Sequence, residues 1–240
     1  MLRALIWDID GTVAETERDG HRVAFNLAFE SMGLPWRWSE SDYGRLLQVA
    51  GGYERLLHDL AQRPDAPPPG AARERLAGEL HRRKNRFHLE RLAGAGLPLR
   101  PGVRALMEEG RSLGVAQAIA TTSGRANVEA LLRPALGAGW PGRFAAVVCA
   151  EDAPRKKPDP QAYRLALQRL GCRPVEAVAL EDSPNGLAAA RAAGIATVIT
   201  RSAYFAAGPF DGALRVCDDL CTPQPVTLAR LGEWLREGGA

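Results

Sequence analysis

Two aspartates stand one residue apart near the N-terminus, in the stretch DIDGT (residues 8–12) that follows the apolar run Leu2–Trp7. Alternate side chains of a strand point to the same face, so Asp8 and Asp10 are expected to converge where the strand ends. Carboxylates this close raise each other's pKa unless a cation lies between them. The pair therefore suits attack of one carboxylate on phosphorus, proton transfer by the other, and a divalent metal that screens both. An ordinary strand-to-loop turn with Gly11 at the bend would explain the same residues.

Short hydroxyl side chains follow a second apolar stretch, at Thr121, Thr122 and Ser123. Hydroxyls and free backbone N–H groups at the start of a helix form a ready phosphate site. The same residues would also serve as a plain helix N-cap.

A cation and an acidic pair follow two later apolar stretches. Lys157 precedes Pro158 and Pro160 in the segment RKKPDP, and these prolines stiffen the entry to a helix and can fix the direction of Lys157. Solvated loop charge would have the same composition. Glu181 and Asp182 form an acidic pair that is also compatible with simple helix capping. Next to the first pair of aspartates, these carboxylates would form a site of hard oxygen ligands that suits Mg²⁺.

Apolar stretches of strand length alternate with stretches of helix length over most of the chain. The predicted strands are Leu2–Trp7, Val115–Thr121, Phe144–Ala150, Val175–Glu181, Ile195–Thr200 and Leu214–Cys217. The predicted helices between the later strands are Val103–Leu113, Asn127–Leu136, Gln161–Leu170 and Gly186–Ala193, each followed by a glycine. This alternation predicts an α/β fold with a mostly parallel sheet covered on both faces. In such a sheet, function lies at the carboxyl ends of the strands, where the four polar groups are expected.

The residues between the first strand and Arg100 show no strong strand pattern. The predicted helices there are Glu15–Met32, Ser41–Gln48, Tyr53–Ala61 and Ala71–Leu92. We therefore expect an all-helical cap domain over residues 16–97, inserted into an α/β core domain formed by residues 1–15 and 98–240. A lid of this kind would exclude water from the site and add substrate contacts.

Helical spacing within the insertion selects candidate substrate contacts. In the first helix Glu17 and His21 are four residues apart on a stripe that continues through Ala24 and Ala28, so we expect both to face a cleft. A buried structural His–Glu pair is the alternative.

Two cations of the insertion are further candidates for contact with a phosphate. In the helix Ala71–Leu92 the inner stripe is predicted at Leu76, Leu80 and Phe87, with Lys84 near its edge. Arg55 lies just inside another helix, and a guanidinium suits bidentate phosphate binding.

Composition sets the broad class of protein. The chain has 240 residues, 46% of them hydrophobic and 25% charged, as in an ordinary globular protein. With 31 basic and 28 acidic residues the net charge is only +3, which argues against a nucleic-acid partner. No apolar run reaches membrane-spanning length.

The cysteines and the N-terminus indicate the compartment. Cys149, Cys172, Cys217 and Cys221 form no CxxC pair, which favours reduced thiols in a cytosol. The first residues run directly into the predicted strand, with no room for a targeting peptide. We expect a cytoplasmic monomer that binds a small phosphosugar and neither nucleic acid nor membranes.

The order of the polar groups is more specific than any one of them. Paired aspartates, hydroxyls, a Lys-Pro and an acidic pair close successive strands, and this order resembles the haloacid dehalogenase (HAD) superfamily of phosphohydrolases, with its Rossmann-like core. The resemblance implies that Asp8 is the nucleophile and Asp10 the acid and base. It implies phosphate ligands at Thr121, Thr122 and Lys157. It also implies a Mg²⁺ site at Asp8, Asp10, Glu181 and Asp182, with Glu181 in the inner or outer sphere.

The insertion resembles the helical cap of the β-phosphoglucomutase-like subclass. Longer stretches, among them ETERDGHRVAFN, GGYERL and RKKPDPQAY, resemble the CbbY branch of that subclass. These are bacterial and chloroplast phosphatases that remove the C1 phosphate of xylulose 1,5-bisphosphate, a by-product that inhibits Rubisco. The resemblance implies substrate contacts from the cap at Glu17, His21, Arg55 and Lys84.

The predicted function is an Mg²⁺-dependent phosphatase that converts a small sugar bisphosphate, xylulose 1,5-bisphosphate, into xylulose 5-phosphate through an aspartyl-phosphate. A phosphosugar mutase of the β-phosphoglucomutase type, or a phosphatase for another phosphosugar, stays open. Related mutases tend to have valine where this chain has Thr12, which favours hydrolysis. A non-catalytic binding protein on the same fold would be expected to lack an acidic residue, yet Asp8, Asp10 and Asp182 are all present.

Overall fold

The chain divides into two compact units. The computed structural model describes residues 2–49, 51–94 and 96–238. One unit comprises Met1–Glu15 with Leu97–Ala240, and the other comprises Thr16–Gly96. The first of these units is called the core unit below, and the second the helical unit.

The core unit is built on a six-stranded sheet in which all paired strands are parallel. The strands are β1 (Ala4–Trp7), β2 (Ala116–Ala120), β3 (Ala146–Val148), β4 (Ala177–Glu181), β5 (Ala196–Thr200) and β6 (Arg215–Cys217). Their order across the sheet is β3-β2-β1-β4-β5-β6, with β1 at the centre between β2 and β4. Each strand lies inside one of the six predicted stretches, and the predicted parallel α/β fold is confirmed.

Five α-helices accompany the sheet among the described residues of the core unit. They are α5 (Val103–Ser112), α6 (Arg125–Leu136), α7 (Gln161–Leu170), α8 (Pro184–Ala192) and α9 (Leu228–Glu237). Four of them overlap the predicted helices, whereas α9 was not predicted. Gly137 and Gly171 end α6 and α7 with positive φ, as expected for helix C-caps.

Both faces of the sheet are covered, because alternate residues of the buried strands pack against different helices. Ala4 and Ile6 of β1 belong to a core cluster with residues of α7 and α8. Trp7 faces the other way, where its indole N–H donates to Gln117 at 3.0 Å and the Gln117 amide donates to the Met107 carbonyl of α5 at 2.7 Å. A strand buried on both faces is apolar throughout, as the sequence of β1 is.

The helical unit contains α1 (Arg22–Ser31), α2 (Glu40–Leu46), α3 (Gly52–Gln62) and α4 (Ala71–Gly94). The stretch predicted as one helix from Glu15 begins instead with a π-helical turn, Glu17–His21, that leads into α1. Phe25 and Phe29 of α1 pack with Trp38 and Tyr43 in an aromatic cluster. Long apolar helices that would span a bilayer are absent from the described residues.

Candidate active site

Parallel strands bring the polar groups of the core unit to one edge of the sheet. Asp8 follows β1, and its N–H donates to the Leu180 carbonyl of β4 at 3.0 Å. Thr121 follows β2, and its N–H donates to the Val148 carbonyl of β3 at 3.0 Å. Because β2, β1 and β4 are neighbours, the side chains that follow them meet at the carboxyl edge.

Lys157 lies between two buried carboxylates. Its Nζ donates to Asp8 Oδ1 at 2.5 Å and to Glu181 Oε1 at 2.6 Å. Burial opposes the charge on Lys157, but the two carboxylates outweigh it and raise the pKa of the ammonium group. Burial, together with the charges of Glu181 and Asp10, raises the pKa of Asp8 to about 7 in spite of Lys157. One cation therefore does not fully compensate this group of acids.

Glu181 is held at both of its carboxylate oxygens. Oε1 accepts from Lys157 and from the Tyr163 hydroxyl at 2.7 Å, whereas Oε2 accepts from the backbone N–H of Asp182 at 3.1 Å and from Ser183. The carboxylate lies over Gly186 of α8, where a Cβ would come within 2.0 Å of it. A glycine at that position is therefore a requirement of this packing.

Asp182 lies against the loop that follows β1. A Cβ on Gly11 would lie 2.1 Å from Asp182 Oδ2, and Gly11 has φ of +87°, so both the space and the backbone require glycine. Burial and the charges of Glu181 and Asp8 raise the pKa of Asp182, against a hydrogen bond from Ser202.

The donor set fits a hard divalent cation. One carboxylate oxygen each from Asp8, Glu181 and Asp182 lie within 4.8 Å of one another, and all three residues are buried. Oxygen-only ligands are what Mg²⁺ prefers, and the raised pKa values of Asp8 and Asp182 mark negative charge that a cation would stabilise. Asp10, which we also predicted as a ligand, is not in this cluster.

The loop after β2 connects to Asp10. The Ser123 hydroxyl donates to Asp10 Oδ2, and the Ser123 N–H donates to Thr121 Oγ1 at 3.1 Å. Thr121 is buried, whereas Thr122 is exposed. Asp10 is thus hydrogen-bonded to the segment of hydroxyl side chains that we predicted as a phosphate site.

The helical unit contains the four predicted cap residues. Two of them, Glu17 and Arg55, are linked through the hydroxyl of Tyr43. The Tyr43 hydroxyl donates to Glu17 Oε2 at 2.5 Å and accepts from Arg55 Nη1 at 2.8 Å. Arg55 Nη1 lies 4.0 Å from Glu17 Oε2. Arg55 is buried, and Glu17 is half-buried.

The other two cap residues are buried against aromatic rings. The rings of His21 and His88 stack with centroids 3.8 Å apart. Lys84 Nζ lies 5.1 Å from the centre of the Phe25 ring and 3.3 Å from Asn85 Oδ1. Lys84 therefore belongs to the buried stripe of α4, not to its edge as predicted.

Sequence reasoning missed several side chains that contact the predicted site residues. They are Tyr43 and His88 in the helical unit and Tyr163 and Ser202 in the core unit. Tyr163 lies on the apolar stripe of a predicted helix, so its hydroxyl gave no signal. Ser123 was inside the predicted hydroxyl group, but nothing in the sequence aimed it at Asp10.

Comparison with known proteins places the chain in a family. Residues 2–194 match the model of the haloacid dehalogenase-like hydrolases. A plasmid-encoded CbbY protein of Cupriavidus necator is 46% identical over 222 residues, which cover 92% of this chain and 87% of that protein. The chain therefore belongs to the haloacid dehalogenase-like hydrolases, and it is an enzyme of the phosphatase type.

Two solved structures and one further relative are also similar. CbbY from Rhodobacter sphaeroides in complex with phosphate superposes with a TM-score of 0.87 at 37% identity, covering 97% of this chain and 100% of that one. A variant of the same protein in complex with xylulose 1,5-bisphosphate gives 0.87 and 37%, with coverages of 96% and 99%. A phosphorylated-carbohydrate phosphatase of Thermotoga maritima is 32% identical over 81% of this chain and 82% of its own length.

Proposed function

We propose that the protein is an Mg²⁺-dependent phosphatase that converts xylulose 1,5-bisphosphate into xylulose 5-phosphate and phosphate. The observation that carries this proposal is the buried cluster in which Lys157 lies between Asp8 and Glu181, at the carboxyl edge of the sheet. A similar protein, 37% identical over nearly the whole chain, has been solved with xylulose 1,5-bisphosphate bound. That ligand supports the choice of substrate.

The reaction proceeds in two displacements at phosphorus. A carboxylate oxygen of Asp8 attacks the C1 phosphate and forms an aspartyl-phosphate, while the bond from phosphorus to the sugar oxygen breaks. Asp10 gives its proton to that leaving oxygen. Asp10 then takes a proton from water, whose oxygen attacks phosphorus and releases phosphate from Asp8. Thr121, Thr122 and Lys157 bind the phosphoryl oxygens and stabilise the charge that develops on them.

The acidic residues at the sheet edge are proposed to hold the metal. Asp8, Asp10 and Asp182 would supply oxygen ligands, and Glu181 would act from the outer sphere, because both of its oxygens already accept hydrogen bonds from protein donors. When bound, Mg²⁺ would neutralise carboxylate and phosphate charge and polarise the phosphoryl group. Asp182 keeps its carboxylate oriented through Ser202.

The helical unit is proposed to act as the cap and to recognise the sugar and the second phosphate. In this proposal Glu17, His21 and Lys84 contact the substrate directly, whereas Arg55 acts through a neighbouring side chain. Binding energy from the distal phosphate would help to align the reacting phosphate. We also propose that the enzyme works as a monomer. Its compartment in this proposal is the cytoplasm, where its four free cysteine thiols would stay reduced.

The first test is phosphate release from a panel of mono- and bisphosphorylated sugars with added Mg²⁺. Xylulose 1,5-bisphosphate should give the highest kcat/KM and one equivalent of phosphate. A product that keeps both phosphates would indicate a mutase instead. A higher kcat/KM for another phosphosugar would replace the proposed substrate and leave the catalytic residues in place.

The second test is Asp8→Asn, because an amide cannot form the aspartyl-phosphate. Turnover should fall to less than about a thousandth of the wild-type rate. The melting temperature should not fall, since the variant removes one buried charge. Asp211→Asn, at an exposed position, is the control. Residual turnover of a few per cent, free of deamidation, would overturn the assignment of the nucleophile.

A further inference from the structure

Tyr43 links Glu17 and Arg55, which we predicted from the sequence as separate substrate contacts. Its ring is fully buried among Phe25 and Trp38, and its hydroxyl lies between Glu17 Oε2 at 2.5 Å and Arg55 Nη1 at 2.8 Å. All of these residues belong to the helical unit. The three polar groups therefore form one chain within a single compact unit.

The directions of these hydrogen bonds follow from the chemistry of the groups. A guanidinium has only donors, so Arg55 must donate to the Tyr43 oxygen. The Tyr43 hydroxyl is then free to donate its own hydrogen bond, and Glu17 Oε2 accepts it. Arg55 Nη1, 4.0 Å from the same Glu17 oxygen, adds an attractive charge. Both contacts favour one orientation of the Glu17 side chain.

Arg55 is itself fixed by the backbone. Its Nε donates to the Leu46 carbonyl at 3.1 Å, and its Nη2 donates to the Val49 carbonyl at 3.3 Å. These carbonyls lie at the end of α2 and in the connection to α3, so the guanidinium ties that connection to the Tyr43 hydroxyl. Three nitrogens of Arg55 therefore donate hydrogen bonds within the helical unit, and these bonds fix the orientation of its guanidinium towards Tyr43.

We infer that Tyr43 and Arg55 are positioning residues for Glu17, which recognises hydroxyl groups of the phosphosugar. A carboxylate accepts hydrogen bonds from sugar hydroxyls. Its selectivity among sugars depends on how firmly the surrounding groups hold it in position. Arg55 thus contributes to specificity through Tyr43 and not as a ligand of the distal phosphate. This inference rests on the proposed function, since it takes Glu17 to be a substrate contact.

The test is Tyr43→Phe, which keeps the buried ring and removes only the hydroxyl. We expect kcat/KM for xylulose 1,5-bisphosphate to fall about 10- to 100-fold, as for loss of a hydrogen bond to a charged group. With p-nitrophenyl phosphate, which has no sugar hydroxyls, kcat/KM should stay within about twofold of wild type. An equal loss on both substrates would overturn the inference, because it would indicate a general effect on folding.

A double-mutant cycle separates positioning from direct contact. Glu17→Gln combined with Tyr43→Phe should lose no more than Glu17→Gln alone, because both changes act on one contact. Arg55→Met should likewise add nothing to Tyr43→Phe, with the exposed Arg45→Met as the matched control. Losses that multiply in either pair would overturn the inference and, for Arg55, would favour direct binding of phosphate.

The same data keep this inference distinct from the proposed function. If Glu17→Gln leaves kcat/KM unchanged for every phosphosugar in the panel, the substrate contact itself is wrong, and the positioning role falls with it. If Glu17→Gln lowers kcat/KM and Tyr43→Phe does not, the substrate contact stands and only the positioning role is wrong. Melting temperatures of all variants, compared with wild type, show whether each has folded.

Discussion

The contacts of Lys157 explain how several carboxylates share one buried site. Asp8 and Glu181 each accept a hydrogen bond from its ammonium group, and the side chains of all three are at most 9% exposed. Without this cation the two buried charges would have no partner of opposite sign between them, which is costly in a protein interior. Lys157 therefore stabilises the buried carboxylates at the sheet edge, and the mechanism proposed above also gives it an incoming phosphate to bind.

Lys157→Met is expected to lower kcat/KM by about 100-fold or more, since it removes a donor to the phosphoryl group and leaves Asp8 protonated over more of the pH range. Steady-state kinetics with any accepted phosphosugar measure the effect. Arg155→Met, which removes an exposed cation from the same loop, should change kcat/KM by less than about twofold. Equal rates for the two variants would contradict the role of Lys157.

The raised pKa values of Asp8 and Asp182 predict how stability depends on pH and on Mg²⁺. Burial raises the pKa of Asp8 from 3.8 to about 7, so the metal-free folded state keeps protons that the unfolded chain has already released. The free energy of unfolding should therefore fall as pH rises between about 4 and 7. Because the proposed Mg²⁺ ion would bind the deprotonated carboxylates, added Mg²⁺ should raise the melting temperature more at about pH 8 than at about pH 5.

Melting curves in chelator and in added Mg²⁺, measured at both pH values, test this expectation without any substrate. Asp182→Asn should remove most of the Mg²⁺-dependent increase in melting temperature. An increase that is the same at both pH values, or that survives in Asp182→Asn, would count against a metal site at these carboxylates.

At the scale of elements, Arg100 connects the loops that follow the strands. Its guanidinium donates to the carbonyls of Gly11, Thr200, Arg201 and Asp218 and to the Thr200 hydroxyl. These acceptors follow or end β1, β5 and β6. A buried guanidinium with five donors satisfies carbonyls that the strand ends leave without ladder partners.

Arg100→Met is expected to lower the free energy of unfolding by about 2–4 kcal/mol, because several carbonyls would be left buried without donors. Chemical denaturation followed by circular dichroism measures the change. Arg111→Met, at a side chain 64% exposed, should cost less than about 0.5 kcal/mol. A similar small effect for Arg100→Met would show that water replaces the lost donors.

The elements of the core unit could be predicted from the sequence to a large extent. Each strand is a short apolar run between polar or glycine-rich segments, and this pattern located all six of them. The carboxyl-edge cluster of Asp8, Lys157 and Asp182 followed from the rule that parallel strands end together. The helix α9 was not predicted, because Gly232 interrupts it and prolines precede it.

The parts that could not be predicted depend on contacts between distant segments. Hydrophobicity predicted Leu76 and Phe87 on the inner stripe of α4, yet the buried residues there include Lys84 and His88. Lys84 is buried because Phe25 of α1 faces it, and His88 is buried because His21 stacks on it. No pattern within one helix reveals such partners. The π-helical turn at Glu17–His21 likewise departs from the regular period on which the prediction relied.

The two ends of the insertion are held together by contacts within the core unit. The Arg100 N–H donates to the Val13 carbonyl at 2.9 Å, and Arg100 Nε lies 3.4 Å from Glu15 Oε1. Glu15 also accepts from the Ala203 N–H at 3.2 Å. The two segments that flank residues 16–96 are thus hydrogen-bonded to each other within the core unit.

Replacement of residues 16–96 by a short Gly/Ser linker should therefore leave a core unit that folds. The flanking segments already lie side by side, so closing the chain there costs little conformational entropy. We expect a soluble protein with a cooperative thermal transition and dispersed amide resonances. Its kcat/KM for the phosphosugar should be far below that of the full chain. A product without a cooperative transition would show that the core unit depends on the insertion for its stability.

The central position of β1 has a consequence for the order in which the chain folds during synthesis. β1 is synthesised before the other five strands of the sheet, yet Ala4 pairs with Ala116 of β2 and with Ala177 of β4, both of which are made much later. Residues 16–96 are complete before either partner exists, and the contacts of α1 and α3 with α4 lie wholly inside that segment. The helical unit is therefore able to fold before the sheet is complete, while the apolar strand β1 stays unpaired until β2 and β4 have been made.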